Sequence, residues 1–369
     1  MYNGFRANDL SVDERLSLVK EVGEEINTEE ELKKLLETES ELIAYDGFEP
    51  SGRIHLPQGI LRAININKMI KAGFKFKILV ADWHAWANHK MGGDLEKIQK
   101  VGKYFIEVWK ASGMDMEKVE FVWASDLVKT DGYWDLVMKI AVETNLPRVL
   151  RTVQIMGRKE SDTLTASQIL YPLMQAADIF TLHAQVTQLG MDQRKVNMLA
   201  REVAPKLGLA KPVVVSHHML LGLLPPTDKA ENETAADRAI RLKMSKSNPN
   251  SAIFMTDTPD EVKKKIRNAW CPEGVIEENP ILEYFKYLVF AKEDKVVIDR
   301  KPEHGGTLEF SEYSQLETVF AEKGVHPLDL KNTLADYINS YLAPVQTYFK
   351  ENEDAARLKE EVESFAVTR

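Results

Sequence analysis

Two separated segments hold residues suited to phosphate chemistry. One reads Gly47-Phe48-Glu49-Pro50-Ser51-Gly52-Arg53-Ile54-His55, the other Lys243-Met244-Ser245-Lys246-Ser247. Gly47 and Gly52 bracket a turn at which backbone can approach a ligand closely. His55 is expected to open a helix over residues 55–72, and a helix N-terminus offers free N–H groups and partial positive charge to an anion. Lys243 and Lys246 flank a short stretch that includes Met244, and Asn248-Pro249-Asn250 stops any helix from continuing. Lysines on such a loop can close over a triphosphate. They meet charge that develops only in the departing pyrophosphate, which is how binding becomes rate. A glycine turn or a Lys/Ser loop alone is often only a turn or a loop. Together, in this order, they point to activation of a substrate by ATP.

A third group lies between them. Tyr171, Gln175 and Asp178 stand at i, i+4 and i+7, on one face of one helix. Their neighbours Leu170, Leu173, Met174, Ala176, Ala177, Ile179 and Phe180 are apolar. A polar stripe in such a setting is costly to bury unless it meets a polar ligand. Gly190-Met191-Asp192-Gln193 follows an apolar run and precedes a helical one, where a glycine and a carboxylate can receive a sugar.

These residues need a scaffold. Short continuous apolar runs at residues 42–45, 76–81, 119–124 and 213–215 alternate with helical periodicity at 55–72, 94–112 and from Tyr133. Continuous rather than alternating runs indicate an α/β fold with a parallel sheet covered on both faces. Residues 9–39 read as helix, with Asp9 or Ser11 as cap. After Thr258 the segments become charged and helical, so the expected domains are 1–258 and 259–369. The stretch 225–241 is polar and turn-rich and reads as a loop inserted before the lysines.

Composition narrows the class. The chain has 369 residues, 44% hydrophobic and 28% charged, with a net charge of −9. That charge argues against a surface that binds nucleic acid throughout. Local basic runs remain, at Arg148, Arg151, Arg158 and Lys159 and again from Arg194 to Lys211. No run approaches the roughly 18 apolar residues of a membrane span, and no signal peptide is apparent. The single cysteine, Cys271, allows neither an intrachain disulfide nor a cysteine-rich metal site and fits a reducing compartment.

The two opening motifs resemble the HIGH and KMSKS signatures of class I aminoacyl-tRNA synthetases. Ala44-Tyr45-Asp46-Gly47-Phe48-Glu49-Pro50-Ser51-Gly52 resembles the archaeal and eukaryotic branch of the tyrosyl-tRNA synthetases, and the likeness runs from about residue 30 to 345. It implies a Rossmann-like parallel-sheet catalytic domain followed by an α-helical anticodon-binding domain. Tyr45 and Asp178 would bond the substrate phenol, and Tyr171, Gln175 and Gln193 would surround its α-amine. Gly47, Gly52, His55, Gly190, Asp192, Lys243, Met244 and Lys246 would hold ATP. His55, Gln58, Lys243 and Lys246 would be catalytic, with Mg²⁺ carried by ATP and no resident metal. Arg151 and Arg194 would approach the tRNA acceptor stem, and His304 and Asp329 the first anticodon base. The expected partners are L-tyrosine, ATP, tRNA(Tyr) and a second copy of the chain, meeting around residues 130–180. The expected place is the cytoplasm, away from membranes.

Two departures stand out. In His55-Leu56-Pro57-Gln58 the second histidine of the motif is Gln58 and its glycine is Pro57. Gln58 can donate an amide hydrogen bond but carries no charge. The second is the insertion at 225–241. Rival readings are a tryptophanyl-tRNA synthetase, another adenylyl- or nucleotidyltransferase, and a non-catalytic RNA-binding paralogue.

Overall fold

The structure is a computed structural model that describes residues 10–158, 162–229, 231, 233–246 and 248–365. Six strands make one sheet: β1 (Glu25–Asn27), β2 (Leu42–Phe48), β3 (Phe74–Val80), β4 (Val119–Trp123), β5 (Val186–Gly190) and β6 (Val213–His217). Their order is β1-β6-β5-β2-β3-β4. Strands β2 to β6 run parallel, and β1 pairs antiparallel with β6 at the edge. β5 and β6 are buried along their whole length; β6 opens with the apolar run Val213–Val215, while Thr187, Gln188, Ser216 and His217 are buried polar residues within the two strands. The chain winds from β2 through β3 to β4 on one side, then crosses to lay β5 and β6 on the other. The order therefore reverses between β2 and β5, and ligand crevices form outside the carboxyl ends at such a reversal. This is a Rossmann-like α/β fold with helices following it.

Three local expectations are corrected. Residues 9–39 are two helices, Val12–Val22 and Glu29–Thr38, separated by β1. Ser11 caps the first through a reciprocal pair with Glu14, Gly23 ends it, and Thr28 caps the second. Asp9 lies outside the described residues. Leu/Glu periodicity is the same on both sides of the break, so it conceals three residues whose role is to cover the β6 edge.

The helix expected from His55 begins at Ile60. His55 instead forms an antiparallel bridge with Phe254. Leu56 N–H donates to the Ile253 carbonyl at 2.9 Å, and Met255 N–H to the Ile54 carbonyl at 3.0 Å. Pro57 lacks an N–H, and residues 56–59 turn rather than coil. The bridge ties the first motif to the chain just after the lysine loop. The 225–241 insertion is also not all loop: Thr234 caps a helix, Ala235–Leu242, that runs directly into Lys243.

Beyond Thr258, which caps the helix Pro259–Asn268, helices dominate, the longest being Pro327–Glu351. A hairpin of β7 (Val296–Ile298) and β8 (Leu308–Phe310), absent from the sequence reading, interrupts them. One apolar cluster joins Leu56, Phe105 and Trp109 to Phe254, Phe285 and Leu342. The helical segments thus share a core with the sheet region, and that core backs the site.

Candidate active site

A cleft of about 840 Å³ opens at the carboxyl ends of β2 and β5. β2 delivers Tyr45, Asp46 and Gly47 to it, and the turn after β5 delivers Gly190, Asp192 and Gln193. The helix Ala166–Thr181 delivers Tyr171, Gln175 and Asp178 from one face. His55 and Gln58 line the cleft from the first motif, and Lys243, Met244 and Lys246 from the second.

At the blind end Asp178 is wholly buried. Its Oδ1 accepts from Tyr133 Oη at 2.7 Å, and His84 Nε2 lies 3.0 Å from its Oδ2. Burial alone would lower the His84 pKa, but the charge of Asp178 and its hydrogen bond raise it. Tyr45 is also buried, and burial together with the Asp178 charge pushes its phenol well up, so it stays protonated as a donor. The His84 ring meets Tyr171 edge-on, with centroids 4.9 Å apart.

Further along the helix, Gln175 Nε2 donates to Gln193 Oε1 at 3.1 Å, and Gln193 Nε2 donates to the Ile155 carbonyl at 3.0 Å. Gln175 Oε1 is buried with no partner. Glu49 stands beside Tyr171, accepts from Asn88 Nδ2 at 2.9 Å, and lies 3.6 Å from Lys90 Nζ. These acceptors can receive an ammonium group.

The other end is built differently. Gly190 is tightly enclosed: a Cβ there would lie 2.5 Å from Met219 Sδ and 2.7 Å from Asp192 Oδ1. Lys243 Nζ pairs with Asp192 Oδ2 at 2.5 Å. Lys246 is buried, its Nζ without a hydrogen-bond partner and 4.7 Å from the centre of the Phe105 ring. Burial pushes its pKa down to about 7. His55 Nδ1 and Gln58 Oε1 are likewise buried and unpartnered. Burial and the charge of Lys246 hold His55 down to about 3, so it is neutral at pH 7. Gly52, at φ +118°, makes the turn before the motif in a conformation that L side chains rarely adopt.

Beneath the cleft a charged group went unread in the sequence. Arg62 Nε pairs with Asp46 Oδ2 at 2.9 Å, and its other nitrogens lie 2.9–3.1 Å from both ring nitrogens of His217. Burial raises Asp46 to about 7 against the pull of Arg62. Like His84, Tyr133 and Glu49, these residues were missed because convergence, not spacing, gives them their roles. One signal was available: His84 and Glu49 follow the carboxyl ends of β3 and β2, the side on which ligands bind.

The candidates for RNA contact lie elsewhere. Arg151 is exposed at the end of the helix Leu146–Thr152. Arg194 Nε contacts both oxygens of Glu25, at 2.7 and 3.0 Å. Asp329 sits in the first turn of the helix Pro327–Glu351. His304 ends a short turn, Pro302–His304, and its side chain lies outside the described residues, as do Lys159 and Ser247.

The chain was compared with known proteins. Residues 37–343 match the family model described as tRNA synthetases class I (W and Y). A protein of Arabidopsis thaliana named cytoplasmic tyrosine–tRNA ligase 1 is 48% identical over 370 residues, covering 100% of this chain and 92% of its own. A tyrosine–tRNA ligase of Sulfurisphaera tokodaii is 42% identical, covering 98% and 99%. A crystal structure of tyrosyl-tRNA synthetase from Pyrococcus horikoshii, complexed with L-tyrosine, superposes with a TM-score of 0.89 at 38% identity, covering 95% and 100%. With a cleft of this composition at the sheet's reversal and a family match over most of its length, the chain belongs to the class I tRNA synthetases of the W and Y group.

Proposed function

We infer that the protein is a tyrosine–tRNA ligase. The observation that carries this is Asp178: a buried carboxylate, fixed by Tyr133 and His84 beside the Tyr45 hydroxyl, at the closed end of a cleft whose open end holds unpartnered cationic and polar groups. A tyrosine phenol completes that end by donating to Asp178 and accepting from Tyr45. An indole brings no hydroxyl to do so, which favours tyrosine over tryptophan.

In the first step a tyrosine carboxylate oxygen attacks the α-phosphorus of ATP. The bond from that phosphorus to the bridging oxygen breaks, and pyrophosphate leaves. In the second, a hydroxyl of the terminal tRNA ribose attacks the adenylate carbonyl, and AMP leaves. No side chain forms a covalent bond. Gln175, Gln193, Tyr171 and Glu49 hold the amine, Asp192 and Gly190 take the ribose, and His55, Gln58, Lys243 and Lys246 meet the phosphates. Catalysis is positioning and charge stabilisation. We place Mg²⁺ on the triphosphate, where it would neutralise phosphate charge.

On this reading residues 1–258 are the catalytic domain and 259–369 the anticodon-binding domain, with Asp329 and His304 at the anticodon and Arg151 and Arg194 near the acceptor stem. A second copy of the chain is the proposed partner for an exposed stripe on the helix Tyr133–Val142. There Trp134, Met138 and Val142 recur at i, i+4 and i+8 and are 45%, 64% and 77% exposed. No helix among the described residues is long and apolar enough to cross a membrane. The cytoplasm is proposed from the name of the plant relative.

The test is ATP–pyrophosphate exchange with each amino acid, then charging of tRNA. Exchange with tyrosine alone is expected. Asp329→Ala is expected to impair charging and spare exchange. Exchange driven by tryptophan, or by no amino acid, would overturn the reading.

A further inference from the structure

The insertion at 225–241 and the segment 217–223 have no assigned role, yet they are the two arms that carry the lysine loop. Met244 N–H donates to the Leu220 carbonyl and Gly222 N–H to the Leu242 carbonyl, each at 2.8 Å. Lys243 and Leu221 form an antiparallel bridge. Residues 220–222 and 242–244 are thus two short paired arms; the helix Ala235–Leu242 leads into the second, and the lysine loop continues from it.

We propose that residues 278–284, in the helical half, anchor both arms and thereby set the position of Lys243 and Lys246 over the cleft. On the first arm, Leu221 N–H donates to Glu283 Oε2 at 2.5 Å, and Tyr284 Oη donates to the Leu221 carbonyl at 2.7 Å. One residue is therefore held at both its backbone groups. The other oxygen of Glu283 pairs with His218 Nε2 at 2.5 Å, and His218 Nδ1 reaches Glu24 at 3.2 Å. The His218 ring stacks on Tyr287, with centroids 4.2 Å apart and planes at 7°. On the helix that leads into the second arm, Arg238 meets both oxygens of Glu278, with Nη2 2.6 Å from Oε2.

The contacts to Glu283 and Glu278 are charge-assisted; the Glu283 side chain is 12% exposed, and those of Arg238 and Glu278 are 19% and 30%. Both arms end on one stretch of seven residues. A shift of the helical half therefore carries both arms together and moves the lysines without deforming the pairing between the arms. Glu278, Glu283, Tyr284 and Arg238 are positioning residues, since none touches the cleft's reacting groups. Through them the half proposed to bind the anticodon acts on the half that activates the amino acid.

The proposal rests on the ATP reading above, and the experiment separates the two. Pyrophosphate exchange is measured for Glu278→Arg, for Arg238→Glu and for the two combined, each beside its Tm. Each single variant is expected to raise the KM for ATP and lower kcat by about fivefold or more, the effect of losing a charge-assisted contact. The KM for tyrosine should stay within about twofold, because the blind end is untouched. The exchanged pair should recover part of the loss, since Arg238 also lies 3.5 Å from Glu233 and 3.2 Å from the Thr227 carbonyl, contacts the exchange does not restore. Glu283→Gln combined with Tyr284→Phe tests the first arm with the same expected split. ATP parameters that do not move at unchanged Tm, or tyrosine and ATP parameters that fall in parallel with Tm, would overturn the proposal. So would an exchanged pair no better than the singles. If the unaltered protein shows no tyrosine-dependent exchange, it is the functional reading that fails.

Discussion

The two ends of the cleft are made on opposite plans. At the blind end Asp178 Oδ1 accepts from Tyr133, its Oδ2 faces His84 Nε2 at 3.0 Å as an opposite charge, and Tyr45 and Tyr171 pack nearby. At the open end Lys246 Nζ, His55 Nδ1 and Gln58 Oε1 are buried without partners, and Lys243 is held by Asp192. A cluster whose charge is matched within the protein, as Asp178 is by His84 and Tyr133, is held in place and selects by fixed geometry. Unsatisfied groups carry the desolvation penalty until a ligand meets them. On the proposed assignment, selection of the amino acid would be built in beforehand, whereas the phosphate end would gain its hydrogen bonds only when the nucleotide arrives. Charge stabilisation concentrated there falls on the step in which pyrophosphate departs.

The sharpest way to break this contrast is at Asp178. Asp178→Asn should abolish most of the discrimination between tyrosine and phenylalanine. That preference is about 10⁴ to 10⁵, a value typical of tyrosine-activating enzymes as a class rather than one calculated from this geometry. Ratios of kcat/KM for the two amino acids report it, and an unchanged ratio would place the phenol elsewhere. A smaller effect is expected at the open end. Lys246→Ala should lower kcat for exchange by about 10²- to 10³-fold, the usual loss when one donor to developing charge is removed. Tyrosine affinity, measured by titration, should barely move. A rise in tyrosine Kd of the same size would mean that the two ends are not independent.

The smallest expected effect is a pH dependence. With its pKa lowered to about 7, Lys246 loses its proton in the free enzyme as pH rises through 7, and ATP binding must then return one. Values of kcat/KM for ATP should fall by up to about tenfold per pH unit above 7, while those for tyrosine stay flat. His55, already neutral, adds nothing in this range, whereas Asp46, raised by burial to about 7, ionises in the same window. Lys246→Arg, which cannot lose its charge, should remove the Lys246 share of the ATP profile and leave any dependence carried by Asp46.

What the sequence disclosed follows the same division. β2, β3 and β6 announce themselves by apolar runs at the positions where they are covered on both faces, and Tyr171, Gln175 and Asp178 announce themselves by their spacing on one helix. β1 does not, because three residues at a polar edge, Glu25-Ile26-Asn27, carry no period of their own. Nor do His84 and Arg62, which line the cleft, and Tyr133, which backs Asp178, coming from three separate helices. Only the closing of the sheet sets them beside Asp178 and Asp46. The helix start at His55 was misplaced because the bridge to Phe254, about 200 residues away in the chain, overrides the local preference. Spacing within one element survives in the primary structure, while meetings between elements do not.

The ion pair between Arg194 and Glu25 bears on how the protein would respond to salt. A bare arginine that meets an RNA phosphate releases counterions, and its affinity falls as ionic strength rises. At Arg194 an incoming phosphate trades places with a carboxylate already bound, so little is released. Exposed Arg151 has no such internal competitor among the described ion pairs and would carry the steeper ionic-strength dependence of the two.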